Sequence, residues 1–297
     1  MADPAESATI LGLTDPRRSG LILLFGATLA WSTSGLFARA IPLDTATVIL
    51  WRGLFGAAGL LVTLLVLRGW QGLRDFAHLG WAGWLYALCS GLGMLLFVGS
   101  LKATTIAHVA IIYATVPFAA AALGWLVLRE VPSRAAMLAS TLALAGSATM
   151  VGLGGDGRWQ GDLMALGMVA AMAAIIVIAR ARPQLPALAA GTVSAIWAPL
   201  ACLPFASLDG ITTGNIALMA GFGLTNSTLG FVLFVFGSRH AAPVVTGLMG
   251  ALETPLTPLW VWLAFAETPT AATLAGGGLV LLAVCWFILQ ESRRPSS

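Results

Sequence analysis

Ten apolar stretches follow one another along the chain, each closed off by polar or charged residues. They fall at about 19–39, 45–67, 79–100, 104–127, 135–153, 162–180, 187–207, 214–236, 241–265 and 269–290. At the helical rise of about 1.5 Å per residue, each spans roughly the 30 Å of a bilayer's hydrocarbon core. Barrel strands would instead alternate apolar and polar over about ten residues. The pattern predicts an all-α membrane protein of ten transmembrane helices. The polar stretch Met1–Arg18 lacks the layout of a cleavable signal, so the first apolar stretch is expected to stay as a helix.

Composition agrees. Of 297 residues, 59% are hydrophobic and 9% charged, against roughly 25% charged in soluble domains. The net charge of +3 comes from basic loop ends and forms no nucleic-acid patch. Those loop ends set the orientation. With a cytoplasmic N-terminus, Arg17, Arg18, Arg68, Arg74, Arg129, Arg134, Arg180, Arg182, Arg239, Arg293 and Arg294 lie inside. Only Arg39, Lys102 and Arg158 lie outside, and Arg52 falls within a span. The positive-inside rule selects this arrangement, with both termini cytoplasmic.

The sequence also repeats. A shift of 137 residues places Gly93 on Gly230, Phe97 on Phe234, Lys102 on Arg239, Trp125 on Trp262, Glu130 on Glu267 and Pro132 on Pro269. A shift of 141 places Gly20 on Gly161, Gly26 on Gly167, Ala38 on Ala179 and Arg39 on Arg180. Charged residues and prolines align, not only alanines and leucines. The expected organisation is a tail (1–18), a five-helix repeat (19–153), a linker (154–161), a second five-helix repeat (162–290) and a tail (291–297). An odd number of spans per half inverts the second half relative to the first. Such inverted repeats place a binding site near the midplane between the halves.

The residues Ser100-Leu101-Lys102, Pro117 and Arg129-Glu130, echoed by Glu253-Thr254-Pro255 and Ala266-Glu267, resemble the repeated core of the drug/metabolite transporter superfamily, the EamA-type carriers. Within it, Trp31-Ser32-Thr33 with Gly35-Leu36 and Arg39 resembles the first helix of the YddG-type amino-acid exporters. The chain departs from the family in carrying Glu-Thr-Pro where Glu-Pro is common. The resemblance implies alternating-access export of amino acids, with broad specificity, across a bacterial inner membrane. A drug exporter of the same superfamily is the nearest alternative.

No phosphate-binding loop is present, and the single lysine, Lys102, is not in a glycine-rich segment. Hydrolase and metalloprotease motifs are likewise missing. The expectation is a non-enzyme with no cofactor or metal, whose partners are the lipid bilayer and a small amino-acid substrate. The two-half chain can serve as a monomer. Cys89, Cys202 and Cys285 lie within apolar spans and read as small hydrophobes.

Glu253 is the deepest acid, near the midplane, where a carboxylate must be paired, solvated or protonated. It either faces a water-filled substrate cavity or carries a proton, or else it is a protonated acid that bonds backbone freed by Pro255 and Pro258. Arg52 either pairs with a substrate carboxylate, pairs with a buried acid, or snorkels to the outer interface near Asp44. His108 reads as a structural histidine. The cavity candidates are aromatic, thioether, hydroxyl and amide groups: Trp31, Ser32, Tyr86, Met94, Phe97, Tyr113, Met172 and Asn226, with Glu253. Such a lining suits zwitterionic or amphipathic solutes and suits phosphorylated ones poorly.

Overall fold

The structure is a computed structural model that describes residues 16–152, 158–207, 209–266 and 268–292. Most of the expected N-terminal tail, part of the linker at 154–161, most of the C-terminal tail and Glu267 lie outside the described residues. The helices are α1 (Pro16–Ser32), α2 (Ser34–Ala40), α3 (Thr45–Arg68), α4 (Arg74–Ala77), α5 (Gly80–Ala103), α6 (Ile106–Tyr113), α7 (Val116–Leu128) and α8 (Arg134–Val151). They continue as α9 (Trp159–Ala181), α10 (Ala187–Ala201), α11 (Thr213–Phe222), α12 (Phe231–Ser238), α13 (Pro243–Gly250), α14 (Glu253–Phe265) and α15 (Ala271–Ser292). A π-helical segment, Gly223–Gly230, joins α11 to α12. No strand occurs among the described residues.

Nine helical stretches among the described residues are long and apolar enough to cross a membrane. The stretch expected at 241–265 is instead two short helices, α13 and α14, meeting at Ala251–Leu252. Proline explains the break. It has no N–H for the carbonyl four residues back, so Pro255 leaves the Ala251 carbonyl without its helical donor. Pro117 does the same for the Tyr113 carbonyl, and α6 ends there. The shift of 137 residues that relates the sequences carries α6 and α7 onto α13 and α14, boundary for boundary. It also pairs Arg129 (φ 59°) with Ala266 (φ 54°), the only non-glycine residues of positive φ among those described.

Packing is contiguous. α8 lies along α15, α5 along α9, and α3 along α10 and the π segment. α1 packs on α12, and α13 packs on α7. Several helices start on side-chain caps: Asp44 accepts from the Thr47 N–H (2.9 Å), and Ser133 from Ala136. The Thr47 hydroxyl beside it holds the Asp44 carboxyl below its ordinary pKa.

Glycine sets the closest crossing. A Cβ at Gly146 on α8 would lie 2.6 Å from the Gly276 carbonyl oxygen on α15. Backbone cannot rotate away as a side chain can, so the helices must part. Gly146→Ala is expected to destabilise the protein by about 1–3 kcal/mol, the usual range for overpacking. The check is a lowered thermal midpoint in detergent; an unchanged midpoint would show that the crossing has slack.

Candidate functional site

The two ends of the bundle differ. Arg129, Arg134, Arg180, Arg182 and Arg239 mark one end, called here the arginine-rich face. It is tied by a charged network. Arg180 donates from Nε to Glu130 (3.1 Å) and from Nη1 to the Arg239 carbonyl (2.9 Å). Arg239 donates from Nη2 to the Leu185 carbonyl (2.8 Å). These bonds join the α7–α8, α9–α10 and α12–α13 connections. Burial, with Arg239 and Arg180 nearby, lowers the pKa of His240. At the far face, the Thr104 hydroxyl donates to Asp162 (2.9 Å), and His108 Nδ1 lies 3.1 Å from the same carboxylate. His108 is thus bonded in place, as a structural histidine would be.

Burial changes along the broken spans. Seven of the eight residues of α13 are buried, whereas α14 and α2 contain no buried residue. α13 packs on α1, α7, α8 and α9, but α14 packs mainly on α1, α2 and α15. The helices are therefore close-packed toward the arginine-rich face and spread beyond the breaks.

At the level of the breaks lies a small internal cavity of about 10 Å³, room for about one water. Trp31, Tyr113 and Met172 line it, with Thr28, Thr246 and Gly250. A larger hollow of about 190 Å³ opens at the arginine-rich face beside Glu130 and Pro243 and shares no lining residue with it. Immediately past the central cavity, the Tyr113 hydroxyl donates to Glu253 Oε2 (3.4 Å). Ser34 also hydrogen-bonds that carboxylate. Tyr113 ends α6 and Glu253 begins α14, so both broken helices deliver a polar side chain to one point.

Of the residues named from the sequence, Trp31, Tyr113, Met172 and Glu253 thus come together. Ser32, the last residue of the first helix, and Asn226, which lies against that helix, are not in the cavity lining. Thr33 interrupts that helix, and the Ala30 carbonyl receives the Thr33 hydroxyl (2.7 Å) and the Asn226 amide (3.0 Å). Asn226 also donates to Thr33 Oγ1 (3.0 Å), and its own carbonyl accepts from the Trp31 indole (3.1 Å). Ser32 accepts from the Trp260 indole (2.8 Å). Tyr86 is buried edge-on to Phe231, its hydroxyl without a hydrogen-bond partner among the described residues. Phe97 is exposed and Met94 half-buried; neither lines the cavity.

Arg52 turns inward. Its guanidinium stands over the Phe222 ring, 4.8 Å from the centroid. Ser34 stands in the sequence as the last residue of the polar run Ser32-Thr33-Ser34 within the first apolar stretch. The signal for Glu130 and Arg180 was present, since each aligns with a charged residue of the other half.

The comparisons bear on this arrangement. Residues 18–152 match the model of the EamA-like transporter family. The EamA-like domain therefore covers α1 through α8. A protein of known crystal structure shares the fold with TM-score 0.79 at 18% identity, over 94% of this chain and 100% of the other. That likeness extends the fold through the second half. A search of curated proteins gave no match.

The Asn226 amide joins the π segment to the interrupted EamA-like first helix. Asn226→Leu removes both donors and is expected to cost about 1–3 kcal/mol. Thermal unfolding of the purified variant measures it, and a midpoint equal to wild type would remove this structural role.

Proposed function

We propose that the protein is a secondary transporter that exports amino acids, with broad specificity, across a bacterial inner membrane by alternating access. The observation that carries this reading is the meeting of two broken helices, through Tyr113 and Glu253, at a central cavity closed toward one face and loosened toward the other. Broken helices in a membrane bundle are tolerated where they are buried or line a cavity, and carriers place substrate there. The EamA-like domain supports transport as the activity.

In this reading α13 and α14 together form one crossing, giving ten spans and two inverted five-helix halves at 19–153 and 162–290. The packing supports the repeat: exchanging the halves turns α5 on α9 into α12 on α1, and α7 on α9 into α14 on α1. It also turns α10 on α5 into α3 on the π segment. The positive-inside rule makes the arginine-rich face cytoplasmic. The structure then corresponds to a form closed toward the cytoplasm, with Arg180–Glu130 among the bonds that close it.

The substrate class follows from the lining. Trp31 and Met172 offer apolar contact, and Tyr113, Thr28 and Thr246 offer neutral hydrogen bonds. Among the described residues, no arginine or lysine lines the cavity to hold a phosphate. Movement of the outer half-helices enlarges the room for a side chain. A drug exporter on the same fold remains the second reading, favoured by the indole of Trp31 at the cavity.

Proteoliposomes containing only this protein and loaded with labelled methionine, threonine or phenylalanine are expected to release each faster than protein-free liposomes. Tyr113→Ala is expected to slow that release by about tenfold, the weight of one good polar contact. Release of cationic dyes with no release of any amino acid would replace the amino-acid reading by the drug-efflux one.

A further inference from the structure

Where α3 ends and α5 begins, at the arginine-rich face, tryptophan and arginine stand side by side. The connection between these helices, residues 69–79, exposes Trp70 and Arg74 and buries only Gly72 and Leu79. α5 then opens with Trp81 and Trp84, 69% and 58% exposed. From the neighbouring α9–α10 connection, Arg182 lays its guanidinium over the Trp81 ring, 5.6 Å from the centroid. α4 packs on α10, so the two connections adjoin. Among the described residues, the Arg74 and Arg182 side chains form no hydrogen bond and no ion pair. The one acid of the two connections, Asp75, is engaged with Arg68 (2.9 Å).

Along α5 from this patch the surface is apolar. Trp81, Leu85, Leu88 and Leu92 recur at steps of four, three and four, which puts them on one face of the helix, and all four are exposed. The other side of the helix is packed: Tyr86 is buried, and the Trp197 indole of α10 lies against Gly91 and donates to the Ala87 carbonyl (3.2 Å). A positive, indole-bearing end above an apolar helix face matches a phospholipid in shape and charge. Indoles sit at head-group level in membranes. A guanidinium stacked on a ring is already oriented, and its N–H groups meet a phosphate in pairs. Two arginines with no unpaired acid on either connection favour a lipid of net negative charge. A zwitterionic lipid brings its own cation, which the arginines repel. The general charge of the face does not supply this, since Arg180 and Arg239 direct their N–H groups to Glu130 and to backbone carbonyls.

We propose that this patch is a binding site for an anionic phospholipid of the phosphatidylglycerol type. Arg182 and Trp81 hold the phosphate, and one acyl chain lies along Leu85, Leu88 and Leu92. Arg74, on the adjoining connection, adds a second positive charge. The bound lipid ties the α3–α5 connection to the α9–α10 connection. It thus joins the first half of the chain to the second at the face where Arg180–Glu130 also joins them. The site shares no lining residue with the central cavity or the larger hollow. It stands whatever solute the protein moves.

The test is native mass spectrometry of the full-length protein, delipidated in detergent and titrated with dioleoyl-phosphatidylglycerol or dioleoyl-phosphatidylcholine, which share their acyl chains. Phosphatidylglycerol is expected to bind at least about tenfold more tightly, since each arginine near an anionic head group weighs about fivefold. Arg182→Gln is expected to weaken phosphatidylglycerol about fivefold and to leave phosphatidylcholine unchanged. Trp81→Leu keeps the apolar face but frees the guanidinium, and is expected to weaken phosphatidylglycerol at least about twofold. Arg134→Gln removes an exposed arginine of the same face, at the start of α8 and outside the patch, and is expected to change neither lipid. Equal binding of the two lipids by wild type overturns the proposal, as does an unchanged phosphatidylglycerol affinity in Arg182→Gln or Trp81→Leu. An equal loss in Arg134→Gln overturns it in favour of diffuse attraction by the whole face. Displacement of the lipid by millimolar glycerol 3-phosphate makes the site one for soluble phosphates, and a lipid-free dimer gives the face to a second copy of the chain; either result overturns it.

Discussion

A peptide group inside a bilayer has no water to turn to, and each unpaired N–H or carbonyl there costs several kcal/mol. The architecture of this chain is organised by where it breaks that rule. Thr33, Ala114–Thr115 and Ala251–Leu252 interrupt helices at depth. Each interruption is repaired by neighbours. The Asn226 amide and the Thr33 hydroxyl serve the Ala30 carbonyl, the Thr115 hydroxyl serves Ile112 (2.6 Å), and tight turns bridge Met249 to Leu252. Because the repairs need partners, the breaks must sit in the middle of the bundle. Because they sit in the middle, they bring Tyr113, Glu253 and Trp31 into one neighbourhood.

The same interruptions separate two mechanical regimes. On one side, α13 is buried among four helices and the Arg180–Glu130–Arg239 network crosses three connections. On the other, α2 and α14 have no buried residue and lean on each other, with α2 also on α11 and α14 also on α1 and α15. A helix broken in the middle lets its outer half move while its inner half stays packed. Glycine contacts such as Gly35 against Thr257 keep α2 and α14 together, so the outer halves can shift as a pair. Alternating access needs this property: a site whose two exits are held by different contacts.

Much of the fold was legible in the sequence because lipid imposes a length. The expected stretches at 45–67 and 269–290 became Thr45–Arg68 and Ala271–Ser292, and the other ends moved by a few residues. The interruption at 241–265 was signalled by Pro255 and Pro258, yet hydropathy alone read one continuous helix. The site was less legible. Trp31, Tyr113, Met172 and Glu253, which the structure brings together, stand out in the sequence as aromatic, thioether and ionisable groups at depth. Asn226 was conspicuous for the same reason, but its amide serves the first helix, which no single-helix pattern reveals. Tyr86 and Phe97 were named for chemistry alone, and their placement depends on helix rotation, which a helix apolar all round does not encode. Arg52 could reach two environments from one depth, and only the packing of α3 against the π segment decides between them.

The central claim is that the outer and inner ends of the bundle open in opposition around the broken helices. Spin-label distances measure this directly in a variant lacking Cys89, Cys202 and Cys285. One label pair at Arg158 and Ala264 spans the far face, and another at Val131 and Gln184 spans the arginine-rich face. Saturating amino acid, in liposomes, is expected to shorten the first distance and lengthen the second. Both distances unchanged, or both moving in the same direction, would contradict the account.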